Sequence, residues 1–225
     1  AGAIALPAAP AHAADPITAA DQSYFAYYHL DQARAKGYTG KGVTIALIDG
    51  EVDTSAPELA GATIIDKSPC TVHSSTQSKS HATALASLLV SSAYGVAPDA
   101  TLLTYRTRFE DEGEDAAAGC AVRNGNGIEE NNSLINRAIS DGAQIISISS
   151  SDKDFDEATK WTIARANARG VIVVTAMGNT AKDETDTGLA KWSGVVGVGA
   201  IDTTGNVAPY SSSGQGTTTA AVGGP

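Results

Sequence analysis

The chain is poor in sulfur, in aromatic rings and in positive charge. Its 225 residues include one methionine, Met177, and two cysteines, Cys70 and Cys120, and aromatics make up only 5%. Lysine and arginine number 15 against 25 acidic residues, a net charge of -10. That balance argues against a nucleic acid or an anionic membrane surface as partner. No apolar run approaches the roughly 20 residues that a membrane-spanning helix needs. What the chain does have is glycine, 23 residues, and a hydrophobic share of 42%, enough for one sizeable core.

Residues 1–13 are small and uncharged, and Ala11-His12-Ala13 fits the small-x-small pattern at a secretory cleavage site. They read as the remnant of a signal peptide, with a disordered Ala/Pro tail as the alternative. The chain is accordingly divided into the remnant (1–13), an N-terminal extension (14–40) and a main domain (41–225). The expected location is secreted or in the cell envelope. In an exported chain Cys70 and Cys120 are expected to form a disulfide, the alternative being two unpaired thiols.

From residue 41 onward, strand and helix patterns alternate. Runs 43–48, 62–65, 101–105, 144–149, 171–176 and 195–200 are short and read as strands, those over 43–48 and 195–200 as buried ones. Between them, 80–90, 133–139 and 155–169 have helical apolar spacing, and 24–36 reads as a helix across the surface, stopped by Gly37. Strands and helices taking turns, with glycine at Gly142 and Gly170 between them, imply a mostly parallel sheet covered by helices on both faces, a three-layer α/β fold. The acidic stretch 110–115 reads as a solvated loop.

Three polar residues stand at the ends of these elements. Asp49 closes the strand 43–48. His81 opens the helix 80–90, with Ser80 as its expected cap. Asn179 follows the strand 171–176. Ligands bind outside the carboxyl ends of strands in open α/β sheets. An aspartate, a histidine and an amide donor there are the parts of an acyl-transfer site, less its nucleophile. Taken singly, each has a plainer reading: a turn aspartate, a surface histidine, a Gly-Asn turn. A histidine in a first helical turn feels the positive end of the dipole, which lowers its pKa, while a carboxylate partner pulls it upward.

The local words around these residues are more specific. Ile45-Ala46-Leu47-Ile48-Asp49 followed by Val52-Asp53 resembles the aspartate motif of the subtilisin-like serine proteases, and His81-Ala82-Thr83-Ala84-Leu85-Ala86 resembles their histidine motif. Gly95-Val96-Ala97-Pro98 is similar to the stretch after the histidine helix, Ile145-Ile146-Ser147-Ile148-Ser149 to the substrate-edge strand, and Ala176-Met177-Gly178-Asn179 to the oxyanion segment. Tyr210-Ser211-Ser212 resembles the segment preceding the serine. Secreted bacterial members, the mycosin-like ones among them, are the nearest comparison.

The resemblance implies a secreted endopeptidase acting on polypeptides. Asp49 would orient His81, His81 would serve as base and then acid, and Asn179 would hold the oxyanion. An extended peptide would pair with the edge strand near Ser149, Ser150 and Ser151. Calcium is common in the family, but no oxygen-rich run identifies a metal site here. Three departures stand out: Gly50-Glu51 where the family has Ser or Thr and then Gly; Ala82 where it has Gly, adding a methyl at a tight turn; and Ser150-Ser151 at the strand end, where it tends to Leu and Gly. They motivate the alternative of a non-catalytic secreted binding protein on the same scaffold. A different α/β hydrolase is disfavoured, because no Gly-x-Ser-x-Gly elbow is present. Gly216-Thr217-Thr218-Thr219-Ala220 imitates the family's serine word. It follows Ser212 too closely and precedes no apolar helix, so the nucleophilic serine is expected beyond residue 225.

The cysteine pairing is directly testable. A Cys70–Cys120 link closes 120 − 70 = 50 positions, which by loop entropy is worth about 4 kcal/mol less any strain. Protein exported under oxidising conditions is expected to show no thiol reactive to maleimide until it is reduced. Two reactive thiols in the unreduced, unfolded protein would rule the link out.

Overall fold

The computed structural model describes residues 16–69, 74–107, 131–149, 157–183 and 188–223. Cys70, Cys120, Ser150, Ser151, the expected signal remnant and the acidic stretch 110–115 lie outside the described residues. Seven strands form one sheet: β1 (Thr44–Asp49), β2 (Thr63–Asp66), β3 (Thr101–Arg106), β4 (Ile145–Ile148), β5 (Ile172–Ala176), β6 (Val195–Ile201) and β7 (Thr217–Val222). Their order is β2-β3-β1-β4-β5-β6-β7, and every neighbouring pair is parallel. Among the described residues five α-helices accompany them: α1 (Ser23–Tyr27), α2 (Leu30–Ala35), α3 (Thr76–Val90), α4 (Asn131–Ser140) and α5 (Glu157–Ala168).

Alternation along β1 separates two cores. Ala46 and Ile48 point to the face where Leu134, Ile135 and Ala138 of α4 and Ile163 and Ala166 of α5 pack. Ile45 and Leu47 point to the other face, against Ala86 and Val90 of α3 and against Leu59. A parallel sheet buried on both sides needs apolar residues at consecutive positions, which accounts for the unbroken run in β1.

The position of α3 has a topological consequence. The steps β2 to β3, β3 to β4 and β4 to β5 all move the same way across the sheet. Yet α3 covers one face and α4 and α5 the other. Steps in one direction over opposite faces have opposite hands. About 98% of such connections are right-handed. α4 and α5 therefore take the common hand, and α3 makes the rare left-handed crossing.

On the α3 face, among the described residues, the helical cover stops beyond β1. Ile145 faces this side, and the register places Ile172 and Val174 of β5 and Val196 of β6 on it too. Ile172 is 51% exposed, and Ile145, Val174 and Val196 are half-buried.

Several sequence-based boundaries need correction. The helix expected over 24–36 is two short helices, broken where His29 adopts φ 52°. Tyr24 Oη donates to the carbonyl of Tyr94 at 2.9 Å, and Arg34 donates to the carbonyls of Ser92 and Gly95 at 2.9 and 2.6 Å. This segment thus fastens to the turn after α3. β7, whose residues 217–220 are exposed, follows the strand over 195–200 and is not among the strands expected from the sequence. β4 is not an edge strand: β1 and β5 flank it, so its ladder is occupied on both sides from Ile145 to Ile148.

Candidate active site

Asp49 is the last residue of a central strand, and its side chain is fully buried. Its Oδ1 accepts from the backbone N–H of Gly50 at 2.8 Å and lies 2.9 Å from Nδ1 of His81. The pair closes the distance between two elements because α3 lies directly over β1 on the left-handed crossing. With Asp49 as acceptor, the imidazole carries its proton on Nδ1, leaving Nε2 as the nitrogen that can exchange a proton.

His81 does not open its helix. α3 begins at Thr76, with Ser75 as the cap whose hydroxyl accepts from the N–H of Ser78 at 3.2 Å. Ser80 is thus a helical residue, and His81 sits in the second turn, where the dipole is weaker. The imidazole, its side chain 45% exposed, has its pKa raised above 6.5. The hydrogen bond from Asp49 is the main cause and its charge adds to it, while partial burial opposes them. Of the two opposed influences read from the sequence, the carboxylate prevails.

The turn after Asp49 is tied to α3 at several points. The N–H of Glu51 donates to Ser74 Oγ at 2.8 Å, and that of Asp53 to Thr83 Oγ1 at 2.9 Å. Lys79 pairs with Glu51 at 3.2 Å and with Asp53 at 3.7 Å. Arg106 joins Glu51 at 3.3 Å to Asp66 at 2.8 Å. Glu51, one of the departures from the family pattern, is therefore the bridge of a charge chain running from α3 to β2.

Gly50 and Ala82, two more residues that depart from the pattern, have local explanations. A Cβ at Gly50 would lie 2.8 Å from both the carbonyl oxygen and the hydroxyl of Ser78, so α3 occupies the space that a side chain would need. Ala82 lies mid-helix and is fully buried, so its methyl packs into the core and meets no tight turn.

Ile48, Ile148 and Thr175 share one register row across β1, β4 and β5. Asp49, Ser149 and Ala176 follow in the next row. Asn179 lies three residues beyond Ala176 and is exposed. Asp49, Ser149 and Asn179 thus stand at or beyond the carboxyl ends of three neighbouring strands, on one edge of the sheet. Thr218 does not belong there. It lies within β7, and its hydroxyl is 3.3 Å from the N–H of Gly197, with the carbonyls of Gly216 and Val195 at 3.4 and 3.5 Å. Among the described residues, no group of three or more His, Cys, Asp or Glu side chains could hold a metal ion.

Comparison with known proteins bears on the family and the fold. The model of the subtilase family, peptidase S8, matches residues 40–224. Subtilisin E of Bacillus subtilis (strain 168) is 28% identical over 204 residues, covering 84% of this chain and 50% of that protein. The minor extracellular protease Vpr of the same organism is 31% identical over 171 residues, covering 68% of this chain and 20% of Vpr. The chain thus spans about half the length of subtilisin E, and less of Vpr. Among solved structures, a lanthipeptide protease superposes with a TM-score of 0.67 at 23% identity, over 91% of this chain and 63% of that one. The prenylagaramide maturation protease PagA gives 0.65 at 21% identity, over 83% and 64%. At these identities the structural likeness speaks for the fold.

Two outcomes follow from the geometry. In an NMR titration His81 is expected to have a pKa above 6.5, and Asp49→Asn should lower it. Because the folded pKa is the higher one, the pair's contribution to stability is complete below about pH 6.5 and fades as pH rises through the folded value. A pKa below 6.5 in the folded protein would contradict the Asp49–His81 contact. Gly50→Ala is expected to lower the urea midpoint by the equivalent of about 1–3 kcal/mol, as overpacking does. Ser78→Ala in the same chain, which removes the hydroxyl but not the carbonyl, should recover part of that loss, and no recovery would assign the strain to the Ser78 carbonyl alone.

Proposed function

This chain belongs to the subtilase family, and from that membership we propose that it forms the larger part of the catalytic domain of a serine endopeptidase. The observation that carries the reading is the 2.9 Å contact between buried Asp49 and His81 at the carboxyl edge of the sheet. Asp49 holds the imidazole in the tautomer with Nδ1 protonated and stabilises the imidazolium that forms. His81 takes the proton of the attacking serine on Nε2 and returns it to the leaving amine. Asn179 donates its side-chain amide to the oxyanion of the tetrahedral intermediate.

The nucleophile is a serine outside these 225 residues. Two features support this: the engaged hydroxyl of Thr218 in the middle of β7, and the half-bare apolar face over β4, β5 and β6. A helix with an apolar stripe, laid on Ile172 and Val196, would cover that face and bring its N-terminus between His81 and Asn179. The substrate is a polypeptide in extended form. Since the β4 ladder is occupied, its backbone pairs with residues from Ser149 onward, Ser150 and Ser151 included. Export, with residues 1–13 as the remnant of the signal and Cys70 bonded to Cys120, completes the reading. It is consistent with the extracellular protease among the similar proteins. Neither Gly50 nor Ala82 opposes catalysis, because each fits its surroundings.

The full-length protein is expected to cleave peptides and to be labelled by a fluorophosphonate, whereas residues 1–225 alone do neither. His81→Ala should lower kcat by several orders of magnitude, on the order of 10⁴-fold or more. Asn179→Ala should lower kcat about 10²–10³-fold with KM little changed, the established effect of removing one oxyanion donor in this family. Fluorophosphonate labelling of Thr218 in the 1–225 chain, or an active His81→Ala variant, would refute the assignment.

A further inference from the structure

A side-chain amide can stabilise an oxyanion only if the backbone that carries it is held still. Asn179 is on an exposed loop, and its own side chain does not anchor it. The anchoring comes from Ser212, which is 2% exposed. The N–H of Ser212 donates to the carbonyl of Gly178 at 3.0 Å. Its Oγ accepts from the N–H of Thr180 at 3.2 Å and lies 3.1 Å from Thr180 Oγ1. One residue thus grips the peptide groups on both sides of Asn179. We propose that Ser212 is a positioning residue for the oxyanion donor, fixing the direction in which the Asn179 amide points; this rests on the assignment of Asn179 given above.

Three further features agree. Gly178 has φ 106° and Ala181 has φ 55°, so the loop is bent into the left-handed region on both sides of Asn179. An alanine there is unfavourable and persists only where surrounding bonds impose it. Here the N–H of Ala181 is held by the carbonyl of Tyr210 at 3.0 Å. Ser212 is itself referenced to the sheet. Ser211 Oγ donates to the carbonyl of Ser212 at 3.1 Å and accepts from the N–H of Ala200, in β6, at 2.9 Å. Hydrogen bonds therefore link the end of β6, through Ser211 and Ser212, to the peptide groups on either side of Asn179.

The test is a double-mutant cycle in the full-length enzyme. Ser212→Ala is expected to lower kcat roughly 10- to 100-fold with KM nearly constant, as a small misplacement of a catalytic group does. In an Asn179→Ala background the same substitution should change kcat less than about twofold, because the donor it positions is gone. By hydrogen exchange, the amide of Thr180 should lose protection in Ser212→Ala. If that variant does not fold, Ser212→Cys, which keeps the volume and weakens the acceptor, is carried through the same cycle. An equal loss of kcat in both backgrounds would make Ser212 merely structural and overturn the proposal. So would unchanged kcat in the Ser212 variant alongside a large loss in Asn179→Ala. An Asn179→Ala enzyme with full kcat removes the oxyanion assignment itself, and this proposal with it.

Discussion

A carboxylate withdrawn from water must find donors at once, because an ionised group left unpaired in the interior is severely destabilising. Asp49 is such a group. The N–H of the next residue supplies one donor. The imidazole of His81 supplies a second donor to the same Oδ1, and only if α3 lies against the end of β1. Much of the local sequence serves that proximity. Gly50 carries no side chain because Ser78 fills its space. The hydroxyls of Ser74 and Thr83 receive the N–H groups of the turn. Lys79 and Arg106 take up the carboxylates that the turn presents to solvent.

The fold meets the same requirement on a larger scale. A right-handed crossing from β2 to β3 would place its helix on the face of Ala46 and Ile48, which α4 and α5 occupy. The left-handed crossing sends α3 to the opposite face, where Ile45 and Leu47 await it. The base then arrives over the same strand end that carries the acid. An unusual connection, disfavoured by strand twist, is offset by the burial of a second apolar layer and by the hydrogen bond that His81 gives to buried Asp49.

What was legible beforehand was whatever had a strong period or a strong local word. Strand β1, the apolar strands β4, β5 and β6, and the alternation that implies a parallel sheet all announced themselves through unbroken β-branched runs. Asp49, His81 and Asn179 could be singled out by the words around them, although only Asp49 ends its element and His81 lies in the second turn of α3. Other features left no such trace. The first turn of α3, Thr76-Gln77-Ser78-Lys79-Ser80, is polar throughout, so apolar spacing started the helix too late. β7 is Thr217-Thr218-Thr219-Ala220-Ala221-Val222, mostly exposed, and its polar alternation imitates a catalytic word. That β4 is an interior strand is a matter of sheet order, which no local pattern encodes. The grip of Ser212 on the Asn179 loop depends on residues 32 positions apart. The Ser-Ser pair was visible as a word, but its partner was not.

The contact between Tyr28 and β7 bears on how the chain reaches this state. The N–H of Val222 donates to Tyr28 Oη at 2.9 Å, joining positions 194 residues apart. Closing so long a loop carries a large entropic cost before the contact returns anything. During synthesis the N-terminal aromatic segment leaves the ribosome long before β7 exists. It can dock early on the turn after α3, through Tyr24 and Arg34, but it cannot complete its contacts until the last strand has joined the sheet. The clasp is therefore a late event, and it reports that the parallel sheet has been assembled through to β7.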